Sequence, residues 1–118
     1  MNASSGVILI EKHKFVTSNE ILSIFKRKTG NTKAGLMGIL DPLATGILPI
    51  VFGEATKFIP YIENDKKKYE IKSKLGVFSE CGDFESDPIE YENEKKIISK
   101  LNDEEIINTL KTFIGEYM

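Results

Sequence analysis

The chain has 118 residues and a formal charge of −2, with 41% hydrophobic and 29% charged side chains. That gives room for one domain of ordinary globular composition with a modest core. No apolar run reaches membrane-spanning length; a single cysteine, Cys81, excludes an internal disulfide, and a single histidine, His13, excludes histidine-rich metal clusters. The first residues lack the basic-then-apolar order of a signal peptide, so a cytoplasmic location is expected. Charge is unevenly spread. Six basic and two acidic residues give +4 over 1–40, six and five give +1 over 41–79, and four and eleven give −7 over 80–118. Such a gradient suits a nucleic-acid face at one end of the molecule, and suits a plainly solvated surface about equally.

Gly6-Val7-Ile8-Leu9-Ile10 is a short β-branched run between a glycine and a charge, and reads as a buried strand. Thr17-Ser18-Asn19-Glu20 then has the spacing of a capping box. Ile21, Leu22, Ile24 and Phe25 follow at helical spacing, and Gly30 supplies the stop. Lys26, Arg27 and Lys28 fall in the last turn of that helix. Complementing the helix dipole accounts for them better than phosphate contact does.

Next comes a stretch unlike the rest, from Lys33 to Pro49, in which Asp41 is the only acidic residue. Gly35 and Gly38 precede it, Pro42 follows it directly, and Thr45-Gly46 close the turn before a new apolar run. Pro42 biases Asp41 away from helical backbone toward an extended one. The expectation is a carboxylate on a rigid loop between two apolar segments. Spacing alone favours a structural duty, since Asp-Pro opens many turns and aspartate caps nearby N–H groups.

The whole string shifts that balance. Gly-x-x-Gly-x-Leu-Asp-Pro-Leu-Ala-Thr-Gly-x-Leu-Pro resembles the catalytic loop of the bacterial tRNA pseudouridine synthase B family. A match of this length is far more specific than a short pattern, and Leu43-Ala44 fits the stand-alone bacterial type rather than the RNA-guided relatives. Lys12 to Ser18 is similar to the family's Lys-Pro-x-Gly-x-Thr-Ser. Lys12, Thr17 and Ser18 match, while His13 stands for the proline and Phe15 for the glycine. The family usually places histidine after the loop's first glycine; here Leu36 takes that position, and it can pack on a base but not hydrogen-bond.

Further on, Ile47 to Phe52 reads as a second buried strand, with Pro49 implying an edge position or an irregular start. Gly53 to Phe58 opens a short helix similar to the family's Gly-x-Ala-Thr-Lys, which Pro60 is expected to bend or end. Lys66-Lys67-Lys68 is a basic turn. Lys68 to Leu75 alternate, with Tyr69, Ile71, Ser73 and Leu75 on one face, the pattern of a half-buried strand. A core tyrosine is the usual reading of Tyr69. The span from Tyr69 to Gly76, however, resembles the family's next motif, whose tyrosine stacks on the target base.

Leu75 to Asp83 resembles Leu-Gly-x-x-Thr-x-Thr-x-Asp, with Ser79 and Cys81 in place of the threonines and Asp83 as a turn residue. Residues 85–96 are acidic and read as a surface loop. Asn102-Asp103-Glu104-Glu105 offers a second capping box, and Ile106, Ile107, Leu110 and Phe113 follow as the packing face of a helix that Gly115 stops.

These elements amount to an α+β domain with a mixed, largely antiparallel sheet flanked by helices. The resemblance implies a pseudouridine synthase fold that is incomplete here: residues 1–118 correspond to the N-terminal portion of the catalytic domain, without its C-terminal half or RNA-binding domain. It implies isomerisation of the T-arm uridine of tRNA, breaking the C–N glycosidic bond and rejoining the same uracil through carbon, with no metal and no cofactor. Asp41 would be the essential carboxylate, either attacking covalently or removing a ribose proton. Tyr69 and Leu36 would bind the substrate base. Lys12, Lys14, Lys33, Lys66, Lys67 and Lys68 are the candidates for RNA contact. The expected partner is tRNA alone, with the protein monomeric and away from membranes. Two rivals remain: a non-catalytic RNA-binding fragment of the same fold, and phosphoryl transfer through an aspartyl-phosphate. The latter needs Mg²⁺ held by further carboxylates, and no second acidic motif of that form is present.

Overall fold

A computed structural model describes residues 4–62 and 67–116. The chain separates into two compact units, residues 1–69 and 70–118. In the first, β1 (Gly6–Lys12), α1 (Ser18–Thr29), β2 (Ala34–Leu36) and β3 (Gly46–Phe52) are followed by a 3₁₀ helix, Gly53–Tyr61. The strands form one sheet in the order β1-β3-β2, antiparallel throughout. The α+β arrangement with antiparallel pairing is the one expected.

The faces of this sheet follow from register. Ile8 lies opposite Ile50 and Ile10 opposite Leu48, while Leu36 lies opposite Ile50 on the other flank, so these side chains share one face. Phe25 of α1 covers it, its ring 5.4 Å from that of Phe52. The opposite face carries Val51 and Gly35. The 3₁₀ helix covers these so closely that a Cβ on Gly35 would sit 3.2 Å from Ile59 Cδ1. Leu48, Ile50, Val51 and Phe25 are the buried apolar core.

Helix α1 begins and ends where its sequence says. Thr17 caps it with the full reciprocal box to Glu20, and Gly30 closes it at φ 70°, a left-handed conformation that glycine takes freely. The 3₁₀ helix continues to Tyr61 with Pro60 inside its last turn, so the early stop expected at Pro60 does not occur.

Two expectations about strands need correction. β1 is not buried, because the elements packed on the sheet cover this edge strand incompletely on both faces: Val7 and Leu9 are more than half exposed on the face of Val51, and Ile8 is exposed on the face of α1. On that second face an apolar groove of about 360 Å³ lies between β1 and α1, lined by Ile8, Ile10, Val16, Ile21, Ile24 and Phe25 among others. β3 is not at the edge despite Pro49; it is the central strand. One step beyond the Leu36–Ile50 pair, the register sets Met37 against Pro49. A regular pair at this position would exchange two hydrogen bonds. Here Met37 N–H donates to the Pro49 carbonyl at 3.0 Å, but Pro49 has no N–H to return. The β2 ladder stops there, and the chain is released into the loop that carries Asp41.

The second unit contains β4 (Val77–Phe78) paired antiparallel with β5 (Ile89–Glu90), then α2 (Glu92–Ile98) and α3 (Asp103–Lys111). The strand expected over 68–75 does not form. Residues 67–74 are irregular, and residues 67–75 are exposed on both alternating faces, because no described strand pairs with them. Residues 85–96, expected as a loop, instead hold β5 and most of α2. The second capping box forms as read, with Asn102 and Glu105 exchanging hydrogen bonds at the start of α3. α3 ends at Lys111, ahead of Gly115, and only part of its expected packing face is covered: Ile106 is half-buried, while Ile107, Leu110 and Phe113 are all half or more exposed. Among the described residues, none of the second unit is buried.

Candidate active site

The Asp41 loop is fastened from three sides. From β1, Lys12 turns inward, because Ile8, Ile10 and Lys12 alternate onto the core-facing side. Its side chain is fully buried. Lys12 Nζ donates to three carbonyl oxygens, those of Ala44 at 2.7 Å, Pro42 at 2.9 Å and His13 at 3.1 Å. An ammonium has three donors, and all three are used. Burying a charge is costly unless it is hydrogen-bonded, and the loop carbonyls are what make this burial tolerable. From α1, the buried Ser18 hydroxyl accepts from Leu40 N–H and donates to the Leu40 carbonyl, both at 3.0 Å. From the connection between β1 and α1, Phe15 N–H donates to the Pro42 carbonyl at 2.8 Å.

Within the loop, Ala44 N–H donates to the Asp41 carbonyl at 3.0 Å, closing a turn over Pro42-Leu43. Gly38, just upstream, has φ 98°, which a side chain would strain. The backbone on either side of Asp41 is thus held by named bonds, while the Asp41 side chain itself is exposed. It makes no hydrogen bond or ion pair among the described residues. The described residues do not enclose this carboxylate; what they supply is position.

The other expected site residues divide. Leu36 ends β2, on the α1-facing side of the sheet, and is half-buried. Tyr69 is exposed and irregular in backbone, with no ring contact or hydrogen bond among the described residues. Lys12 is not available to RNA at all, since it is buried in the loop clamp. Lys33 is in an ion pair, 2.7 Å from Glu54, which also pairs with Lys57. Those two lysines hold the Glu54 carboxyl down at about 2. Lys14, Lys67 and Lys68 are exposed and unpaired among the described residues, and Lys66 lies outside them. Among the described residues, no group of three or more His, Cys, Asp or Glu side chains is placed to hold a metal. No helix there is long and apolar enough to cross a membrane.

Sequence reasoning missed the duties of Lys12 and Ser18. The signal for Lys12 was present: extending the β1 alternation by one step places it on the inner face. Ser18 carried no such mark, because its partner is a backbone group 22 residues away.

Residues 26–118, the Asp41 loop included, match the model of the TruB family pseudouridylate synthase N-terminal domain. The chain belongs to that family. It is 46% identical over 110 residues to tRNA pseudouridine synthase B of Coxiella burnetii, covering 93% of this chain and 34% of the relative. The enzyme of the same name from Idiomarina loihiensis is 40% identical over 114 residues, covering 97% and 35%. That of Clostridium tetani is 38% identical over 112 residues, covering 95% and 37%. The chain therefore spans about a third of the length of these TruB relatives.

Proposed function

We propose that this chain carries the catalytic aspartate of a tRNA pseudouridine synthase, and that Asp41 converts the T-arm uridine to pseudouridine. The observation that carries this reading is the Asp41 loop: an exposed carboxylate with no partner among the described residues, on a backbone pinned by Lys12, Ser18 and Phe15, in a chain of this family. Fixing a reacting carboxylate relative to its substrate removes entropy from the barrier in advance. The isomerisation needs a carboxylate in place, and no redox partner. Tyr69 would hold the uracil once the base has been flipped out of the folded arm, since a stacked base cannot be reached where it lies. Of the lysines read as RNA contacts, Lys14, Lys67 and Lys68 are exposed and would meet the phosphate backbone. The setting for this work is the cytoplasm, with the protein acting as a monomer.

The test is conversion of a T-arm stem-loop under single-turnover conditions. Asp41→Asn keeps the shape of the side chain and removes its charge, so it should abolish conversion and leave the fold unchanged. Full activity in that variant would end the assignment.

A second reading is favoured by one observation. Arg27 is the only arginine in the chain, and it lies in the last turn of α1, while the Asp41 loop is fastened at the first turn through Ser18. A twelve-residue helix separates those turns by roughly 15 Å, so no arginine of this chain pairs with Asp41. The 118 residues alone should bind RNA weakly and turn it over slowly. Extending the chain with the remaining two-thirds of a TruB relative should raise the single-turnover rate; equal rates would remove this reading.

A further inference from the structure

Phe15 is the one non-glycine residue with positive φ among the described residues, at 65°. A side chain with a Cβ rarely takes this left-handed backbone. The connection between β1 and α1 imposes it, because only in that turn does Phe15 N–H reach the Pro42 carbonyl at 2.8 Å, the same oxygen that Lys12 Nζ holds at 2.9 Å. A glycine would meet the same turn without strain. The backbone therefore explains the conformation and leaves the side chain unexplained.

The ring does nothing for the core. Phe15 is 80% exposed, and its ring meets no other ring among the described residues. Its neighbours His13 and Lys14 are exposed as well. A large apolar side chain is thus held in water on a strained backbone that is hydrogen-bonded to the residue after Asp41, and the preceding residue in the chain is an exposed lysine. Strain of this kind is kept where it serves a site. An aromatic face next to basic side chains is the pairing that single-stranded nucleic acid uses, a base stacking on the ring while the cation meets phosphate.

We infer that Phe15 is a nucleobase-stacking residue, its ring taking the face of a base unstacked from the RNA beside Asp41. The inference rests on the reading of Asp41 as the group that acts on a flipped uridine. It gives that site a second aromatic surface besides Tyr69, on the side of the loop where Lys12 and Ser18 hold the backbone. Leu36 adds only apolar contact, so Phe15 would supply stacking that Leu36 cannot.

The chain contains no tryptophan, so Phe15→Trp introduces a single emitter at this position. Titrating a T-arm stem-loop into that variant should quench its emission, with a midpoint equal to the Kd measured independently by anisotropy of labelled RNA. Phe15→Gly should weaken binding by about 5- to 150-fold, the range that one base–aromatic stack is worth, while its Tm stays level or rises as the strain is relieved. Phe15→Leu keeps the strain and loses the stacking face, so it should bind as weakly as Phe15→Gly. Binding within twofold of wild type in both Phe15→Gly and Phe15→Leu overturns the inference. So does tryptophan emission that saturating RNA leaves unchanged. If wild type binds and the Phe15 variants lose affinity, yet no Asp41-dependent conversion occurs in the chain or its extended form, stacking stands and the isomerase reading falls. If conversion depends on Asp41 and the Phe15 variants bind normally, the reverse holds. Failure of both the chain and its extended form to bind any RNA removes both.

Discussion

The two units of this chain are built from the same kinds of local signal and end in different states. Each opens a helix with a complete capping box, Thr17 with Glu20 in the first and Asn102 with Glu105 in the second. In the first unit that helix lays Phe25 on a three-stranded sheet and closes a core; in the second, α3 leaves Ile107, Leu110 and Phe113 half or more exposed. Capping satisfies a helix's own N–H groups and so fixes where it begins. What it packs on is decided by residues far away in sequence. Charge divides along the same line: ten basic against six acidic residues in 1–69, and six against twelve in 70–118. The unit with a core is also the basic one that holds the Asp41 loop.

The largest expected effect breaks the comparison at its root. Leu48→Ala empties part of a packed core and should destabilise the chain by about 2–5 kcal/mol. Leu110→Ala removes a side chain that already faces water and should change stability by no more than about 0.5 kcal/mol. Urea denaturation followed by circular dichroism reads both. A comparable loss in Leu110→Ala would mean that α3 is packed after all.

Lys12→Met comes next. It keeps an unbranched side chain, one atom shorter, and deletes three donors, leaving the His13, Pro42 and Ala44 carbonyls without the charge they receive now. Each hydrogen bond to a charged group is worth about 1.5–3 kcal/mol, but the cost of burying the ammonium goes with it, so a net loss of about 2 kcal/mol is expected. The more specific readout is hydrogen exchange: amide protection at Phe15 and Ala44 should fall, while the centre of β3 keeps its own. Uniform loss across the sheet would make Lys12 a general core residue instead of a clamp on the Asp41 loop.

Cap removal sharpens the contrast between the units. Thr17→Ala and Asn102→Ala each delete one side-chain acceptor and should cost their helix about 1 kcal/mol. In the first unit that loss should appear as a lower midpoint of global unfolding. In the second it should appear only as fraying, seen as faster exchange at Glu105 and Ile106. Equal shifts of the global midpoint would show that α3 is coupled to a core.

How much of this could be read in advance follows the same division. Both capping boxes, the Gly30 stop and the antiparallel α+β class were legible, because each rests on residues a few positions apart. The strand over 68–75 was misread: alternation states which face would be buried if a partner were present, and no described strand provides one. Pro49 was misplaced at an edge, because a proline's cost in a sheet depends on which neighbour its missing N–H faces. Here it faces the short strand β2, at the point where the loop departs. In the site, the position of the Asp41 loop was legible. The inward turn of Lys12 was signalled by the β1 alternation, but its carbonyl partners Pro42 and Ala44, 30 and 32 residues away, were not, nor was the exposure of Asp41. The substitution of Phe15 for glycine was visible as a departure, and the retained left-handed backbone is what gives that departure meaning.

The smallest effect expected concerns pH. Glu54 in the first unit and Glu90 in the second are each clasped by two lysines, and each carboxyl is held down at about 2. For Glu54 the leading cause is the hydrogen bond from Lys33, then that from Lys57; for Glu90 it is Lys95, then Lys74. A carboxyl with a lowered folded pKa binds its proton more readily when unfolded. Its contribution is therefore complete above the ordinary value near 4.5, and declines as pH falls from there toward 2. Both groups are well exposed, so salt should screen most of it. The two differ in what they join. Glu54 ties the residue ahead of β2 to the 3₁₀ helix across the folded sheet, while Glu90 ties β5 to residues of a unit in which no described residue is buried. Urea midpoints between pH 5 and 2.5 should fall slightly less steeply in Glu54→Gln than in wild type at low salt, with the difference closing at 1 M salt. Glu90→Gln should follow wild type throughout. If Glu90→Gln flattens the profile as much as Glu54→Gln does, the second unit contributes to global stability, and the division between the two units fails.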